Sequence, residues 1–147
     1  MTDADSPRAA GPAPRPCESC PYRQDVPSAV WHPDEYAKLR AYDADTAYQP
    51  PQLFLCHQYN RDAPRAPVCA GWVGCHGEEL LALRLAVVRG DLDDAAFSDA
   101  VTYQSPVALF ESGAAAAAHG VRDAADPDED AQALALKITR RRSDISE

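Results

Sequence analysis

Large aliphatic residues crowd the second half of the chain and are sparse in the first. Over residues 78–89 (EELLALRLAVVR) six positions carry large aliphatic side chains: Leu80, Leu81, Leu83, Leu85, Val87 and Val88. Acids open the segment, Arg89 ends it and Gly90 follows as a stop. This pattern predicts a helix that is apolar over most of its circumference and so central in the core. Residues 91–101 predict a second, weaker helix carrying Leu92, Phe97 and Val101. Ser105-Pro106 has the form of an N-cap followed by a first-turn proline, and predicts a helix through Val107, Leu109 and Phe110. Gly113 is placed to break it, before an alanine run that ends at His119-Gly120. A last helix is predicted from Asp126-Pro127. Asp128, Glu129 and Asp130 stand at its start and Arg140, Arg141 and Arg142 at its end, both matching the helix dipole.

The first half reads differently. Pro33, Asp34, Glu35, Tyr36 and Leu39 predict one short helix, with His32 at its start. Residues 43–52 form a turn-rich connector, residues 52–56 a short strand, and residues 60–67 a polar loop. Residues 1–15 hold prolines and alanines but no large apolar side chain, which predicts a disordered tail. The organisation expected is that tail, one cysteine-rich metal-binding and helical domain over residues 16–125, and a C-terminal amphipathic helix with a short tail over residues 126–147. The fold class expected is mainly α, with a small irregular metal-knuckle N-terminal half packed on a C-terminal helical core.

The cysteines change the picture. All five lie between positions 17 and 75: Cys17, Cys20, Cys56, Cys69 and Cys75. Cys-x2-Cys lets two sulfurs from one tight turn reach a single ion, and Pro16 and Pro21 stiffen that turn. Cys56 and Cys69 are the expected second pair of a four-cysteine site. A disulfide framework fits poorly with an odd count and no apolar leader at the N-terminus. A thioredoxin-like pair would follow a strand, which a proline-rich tail does not supply. Inert buried thiols explain any single cysteine better than they explain the set. Residues 17–76 also have too few aliphatic side chains to build a stable core by burial alone, whereas a structural zinc contributes roughly 10–16 kcal/mol in small domains. Zn²⁺ is the expected ion, and an iron–sulfur cluster is the alternative, since both take four thiolates. Cys75 is an alternative ligand or a core thiol. His57 and His76, each directly after a cysteine, suit hydrogen bonding around the site or a plain buried role. His119 is expected to be structural, at a helix end. Tyr22, Trp31, Phe54, Tyr59 and Trp72 are expected to form the core of the cysteine-rich half.

Charge narrows the partners. The net charge is −9, and residues 77–147 carry fourteen acids against seven bases. Phosphate binding starts from a positive surface, so nucleic acid is an unfavoured partner, as is an anionic membrane. No apolar run approaches the ~18 residues of a spanning helix. A cytoplasmic protein is expected, with a basic protein surface as partner. No Ser/His/Asp spacing, phosphate loop or His-Glu-x-x-His pattern is present. A non-enzymatic metal-binding protein or interaction module is therefore expected ahead of an enzyme, with an iron–sulfur redox- or iron-responsive regulator as the alternative.

Four stretches together resemble an uncharacterised cysteine-rich domain family found mainly in high-GC bacteria and their phages. They are Pro16-Cys17-Glu18-Ser19-Cys20-Pro21-Tyr22-Arg23, Asp25-Val26-Pro27-Ser28-Ala29-Val30-Trp31, Phe54-Leu55-Cys56-His57-Gln58 and Cys69-Ala70-Gly71-Trp72-Val73-Gly74-Cys75-His76. The resemblance extends over roughly residues 16–121. It implies a cysteine-rich, metal-holding domain and no particular activity. Two features depart from the family pattern: Ala29 stands where glycine is usual, and the connector between Cys56 and Cys69 is long.

Overall fold

The structure is a computed structural model and describes residues 8–56, 58–59 and 64–142. It is mainly helical with one small sheet. The helices are α1 (Pro33–Ala37), α2 (Ala70–His76), α3 (Leu81–Arg89), α4 (Asp94–Val101), α5 (Gly113–Val121) and α6 (Glu129–Arg141). A 3-10 stretch, Lys38–Asp43, continues α1. The sheet is a parallel pair of two-residue strands, β1 (Ala9–Ala10) and β2 (Ala66–Pro67), in the register Ala9–Ala66 and Ala10–Pro67.

Local chemistry accounts for most helix ends. His32 Nδ1 accepts from the Asp34 N–H at 3.1 Å, with Pro33 as the first helical residue of α1. Asp93, Ser112 and Asp128 cap α4, α5 and α6 through their side-chain oxygens. Gly90 ends α3 in the left-handed conformation, φ 80°. α6 begins with Glu129 and Asp130 and ends with Arg140 and Arg141, the charge order that its dipole favours.

The two halves share one core. Tyr22, Leu39, Val68, Trp72, Val73, Leu80, Leu83 and Leu92 are all buried in the same cluster. Tyr42 packs edge-on to both Phe54 and Trp72, with ring centroids 6.1 and 5.3 Å apart. Of the aromatics expected in this core, Tyr59 is the exception and is half exposed. α5 lies against α1 and the following 3-10 stretch. The segment around residues 26–31 is strapped to its far end: His119 Nε2 donates to Val26 O at 2.7 Å, and Ser28 Oγ donates to Gly120 O at 3.0 Å. Among the described residues no helix is long and apolar enough to cross a membrane.

Four expectations change. Residues 8–15, expected as disordered tail, are pinned: Ala9 is buried, its N–H donates to Asp91 O at 2.9 Å, and Pro14 O accepts from the Tyr103 hydroxyl at 3.0 Å. Small side chains let this backbone lie flat on α4, where Gly11 faces Ala96. Residues 1–7 of that segment lie outside the described residues. The helix expected from Ser105-Pro106 is instead extended, because its backbone pairs across the fold: Phe110 N–H donates to Tyr22 O and Gln24 N–H to Ala108 O. Ser105 Oγ binds the Val107 backbone in a local turn. Gly113 opens α5 rather than breaking a helix. A Cβ there would run into the Leu39 carbonyl, and the Asp43 carboxylate accepts from the Gly113 and Ala114 N–H groups at 2.6 and 2.8 Å. α3 buries Ala82, Leu83 and Ala86 but leaves Val88 84% exposed, so it lies along one side of the core rather than through it.

Ala29 adopts φ 67°, a left-handed conformation that costs a residue with a Cβ roughly 1–2 kcal/mol. Its N–H nevertheless donates to Gly120 O at 2.8 Å, which fixes the turn. Glycine relieves the Cβ clash but loses about 0.5–1 kcal/mol more entropy on folding. Ala29→Gly is therefore expected to raise stability by about 0.5–1 kcal/mol, read as a higher midpoint in urea unfolding with an unchanged slope.

Candidate functional site

Four of the five thiols come from three separate backbone pieces that the fold brings together. Cys17 and Cys20 sit on one turn, closed by Cys20 N–H donating to Cys17 O at 3.0 Å. The Arg23 guanidinium backs this turn by donating to Pro16 O at 3.1 Å and Cys17 O at 3.4 Å, while Asp25 holds it in a two-pronged ion pair at 2.8 and 2.7 Å. Trp31 Nε1 donates to Ser19 O at 2.9 Å and anchors the turn from below.

Cys56 and Cys69 flank an antiparallel bridge between Leu55 and Val68. Cys56 N–H donates to Pro67 O at 2.9 Å and Cys69 N–H to Phe54 O at 2.8 Å. Side chains alternate along paired extended segments, so Cys56 and Cys69 project from one face while Leu55 and Val68 point to the other. Cys69 then leads directly into α2. Of the long connector between the two cysteines, residues 57 and 60–63 lie outside the described residues.

The sulfurs form a chain of neighbours. Cys20 Sγ is 3.8 Å from Cys69 Sγ. Cys17 Sγ is 3.7 Å from Ser19 Oγ, and Cys17 and Cys56 border one cavity together with Cys69. The thiols of Cys20 and Cys56 donate toward the sulfur of Cys17, which holds Cys17 well below the usual thiol range. The same contacts with Cys17, followed by burial for Cys56 and by Cys69 and burial for Cys20, push both partners up. The array is an open chain: among the described residues no three or more His, Cys, Asp and Glu side chains form a group already shaped to hold a metal ion.

Gly71 makes the array possible. A Cβ on Gly71 would overlap Cys20 Sγ and stand 2.8 Å from Tyr22 Cβ. The sulfur thus rests on the bare backbone of α2. Beside it, a cavity of about 250 Å³ is lined by Arg15, Cys17, Cys56, Gln58, Tyr59 and Cys69, among others. Gln58 also links the site to α6: its Nε2 donates to Ser19 Oγ at 3.1 Å and its Oε1 accepts from Arg141 at 2.6 Å. Lys137 of α6 pairs with Glu18 at 2.7 Å.

Cys75 and His76 belong to a different neighbourhood. Cys75 is half-buried on α2, and burial together with the nearby Asp43 carboxylate pushes its thiol up to about 12. His76 Nε2 is 3.1 Å from the Tyr22 hydroxyl and Nδ1 is 4.0 Å from Asp43 Oδ1. A proton on Nδ1 faces the carboxylate and leaves Nε2 to accept from Tyr22. This Tyr22–His76–Asp43 chain was not legible in the sequence, where the three residues are 21 or more positions apart. His57 lies outside the described residues.

Burial lowers the pKa of His76 more than Asp43 raises it. Below about pH 6.5 a free histidine takes up a proton, and the folded chain resists doing so. The unfolded state then binds more protons, so stability present above that pH is lost as pH falls. His76→Gln, which keeps an acceptor for Tyr22, is expected to flatten this acid-side loss in urea-unfolding energies measured from pH 7.5 to 5.

Neither curated proteins nor solved structures yield a match to the chain. Residues 12–142 match a family of unknown function (DUF6283), a span that takes in all five cysteines, the Tyr22–His76–Asp43 chain and all of α1–α6. By that match the chain belongs to this family of unknown function.

Proposed function

We propose that the chain is a non-enzymatic, metal-stabilised interaction module in which Cys17, Cys20, Cys56 and Cys69 hold one Zn²⁺. The observation that carries this reading is the meeting of Cys20 and Cys69 at 3.8 Å, with Cys20 seated on the bare backbone at Gly71, beside a cavity that Cys17, Cys56 and Cys69 border. The donor set fits the ion: four thiolates, all sulfur, are a common structural zinc site. The spacing of the buried pair fits too. With Zn–S bonds of about 2.3 Å, two sulfurs on one tetrahedral ion stand about 3.8 Å apart, the separation of Cys20 and Cys69. Binding would displace the thiol protons and draw the open chain into a closed set.

This reading argues against hydrolytic chemistry at the same centre, because four protein ligands leave no position for water. It also adds a local source of folding energy to the core that residues 17–76 share with the helices. The partner we infer is a protein with a basic surface, from the fourteen acids against seven bases of residues 77–147. A cytoplasmic setting, where thiols stay reduced, is part of the same proposal.

An iron–sulfur cluster is the second reading, with redox or iron sensing as its role. The cavity bordered by Cys17, Cys56 and Cys69 favours it, since a cluster needs more room than a single ion.

Protein purified without oxygen is expected to be colourless and to carry about one zinc per chain by elemental analysis. Serine at position 17, 20, 56 or 69 is expected to abolish stoichiometric zinc, whereas Cys75→Ser retains it. A brown protein with iron and sulfide in equal amounts would replace zinc by a cluster. Zinc lost with Cys75→Ser but kept with Cys69→Ser would overturn the ligand set. Gly71→Ala displaces Cys20 Sγ, and is expected to weaken zinc retention against a competing chelator by at least tenfold, about 1.4 kcal/mol.

A further inference from the structure

The four gathered thiols differ in how solvent reaches them. Cys20 is fully buried, its sulfur wedged between Gly71 and Tyr22, and Cys69 is only 4% exposed. Cys17 and Cys56 are half-buried and, with the far less exposed Cys69, border the same cavity. Arg15 also borders that cavity. A small oxidant therefore meets this pair before it meets the buried pair. Thiol oxidation follows such access.

Resting on the zinc reading above, we propose that Cys17 and Cys56 form a peroxide-sensitive pair whose oxidation to a disulfide releases the metal. The co-reactant is a hydroperoxide. The Cys17 thiolate attacks one peroxide oxygen, the O–O bond breaks and hydroxide leaves, giving a sulfenic acid. The Cys56 thiolate then attacks that sulfur. The S–O bond breaks, a second hydroxide leaves and the S–S bond forms. Two thiolates give up two electrons, the peroxide accepts them, and two protons from solvent turn the hydroxides into water. Cys20 and Cys69 alone remain as thiolate ligands, and two ligands do not hold a structural zinc against solvent.

The pair is specific in its prediction because closer alternatives exist. Cys17 and Cys20 share a turn, and Cys20 and Cys69 are 3.8 Å apart. Access and the fixed seat of Cys20 on Gly71 exclude both in favour of a bridge spanning 39 positions of sequence. Such a bridge ties the first turn to the segment that carries Gln58, and so alters the seat of α6.

The test uses the full chain, with its zinc content measured first. Hydrogen peroxide is then added from substoichiometric to fivefold excess. Released zinc is followed with a coloured chelator, and disulfides are mapped by differential alkylation and peptide mass spectrometry. The expected result is one zinc released per peroxide consumed, a Cys17–Cys56 linked peptide, and reversal by a dithiol with added zinc. Zinc retained at excess peroxide overturns the proposal. A first bond between Cys17 and Cys20 or between Cys20 and Cys69, or first oxidation at Cys75, overturns it equally. Absence of zinc before oxidation would instead sink the zinc reading, and the same mapping on that metal-free chain still decides the oxidised pair.

Discussion

The sulfur of Cys20 rests on α2 where Gly71 has no side chain, and the rest of the site depends on that contact. It fixes the distance between the first cysteine turn and the helix that Cys69 introduces. Tyr22, two residues on, is pressed against the same backbone and becomes fully buried. Its carbonyl then accepts from Phe110 N–H, which draws residues 108–110 into extended pairing and denies them a helix. One missing methyl group thus sets the position of three separated segments, because close packing leaves no slack to absorb an added atom.

Polar groups inside this region are arranged to stay neutral or paired. The Cys17 thiol, at the cavity, is held low by its cysteine neighbours, while that of buried Cys20 is pushed up. Burial pushes the Tyr22 hydroxyl far above its ordinary range, so it remains a donor to His76. Asp43 accepts from the first two N–H groups of α5, at the end of the helix where its dipole favours a carboxylate. Trp72 Nε1 is buried without a hydrogen-bond partner among the described residues, packed among Tyr42 and Phe54. The site and the helical core are therefore one electrostatic unit: Asp43 caps a C-terminal helix while facing a histidine from the cysteine-rich half.

Much of the helical part was legible because its signals are local. Pro33 after His32, Gly90 and the Asp128–Arg141 charge order each act within a turn of the residue that carries them. The failures lie where distant backbone competed. Ser105-Pro106 reads as a helix start, but pairing with residues 22–24 was the stronger use of that backbone. Two glycines made residues 70–76 a poor helix by propensity, yet they form α2, because glycine is what lets Cys20 and Leu109 approach it. An alanine- and proline-rich start reads as tail, but small residues also suit a backbone that must lie close to α4.

By itself the sequence determined the helix boundaries set by caps and charges, the acidic balance of the second half, and the unusual concentration of thiols between positions 17 and 75. Those properties are either additive or confined to neighbouring residues. Only the tertiary structure decided which thiols are neighbours, which three border the cavity, and that Cys75 and His76 turn instead toward Asp43. Spacing along a chain limits reach but not direction. Direction came from the alternation of side chains at the Leu55–Val68 bridge and from the close approach allowed at Gly71.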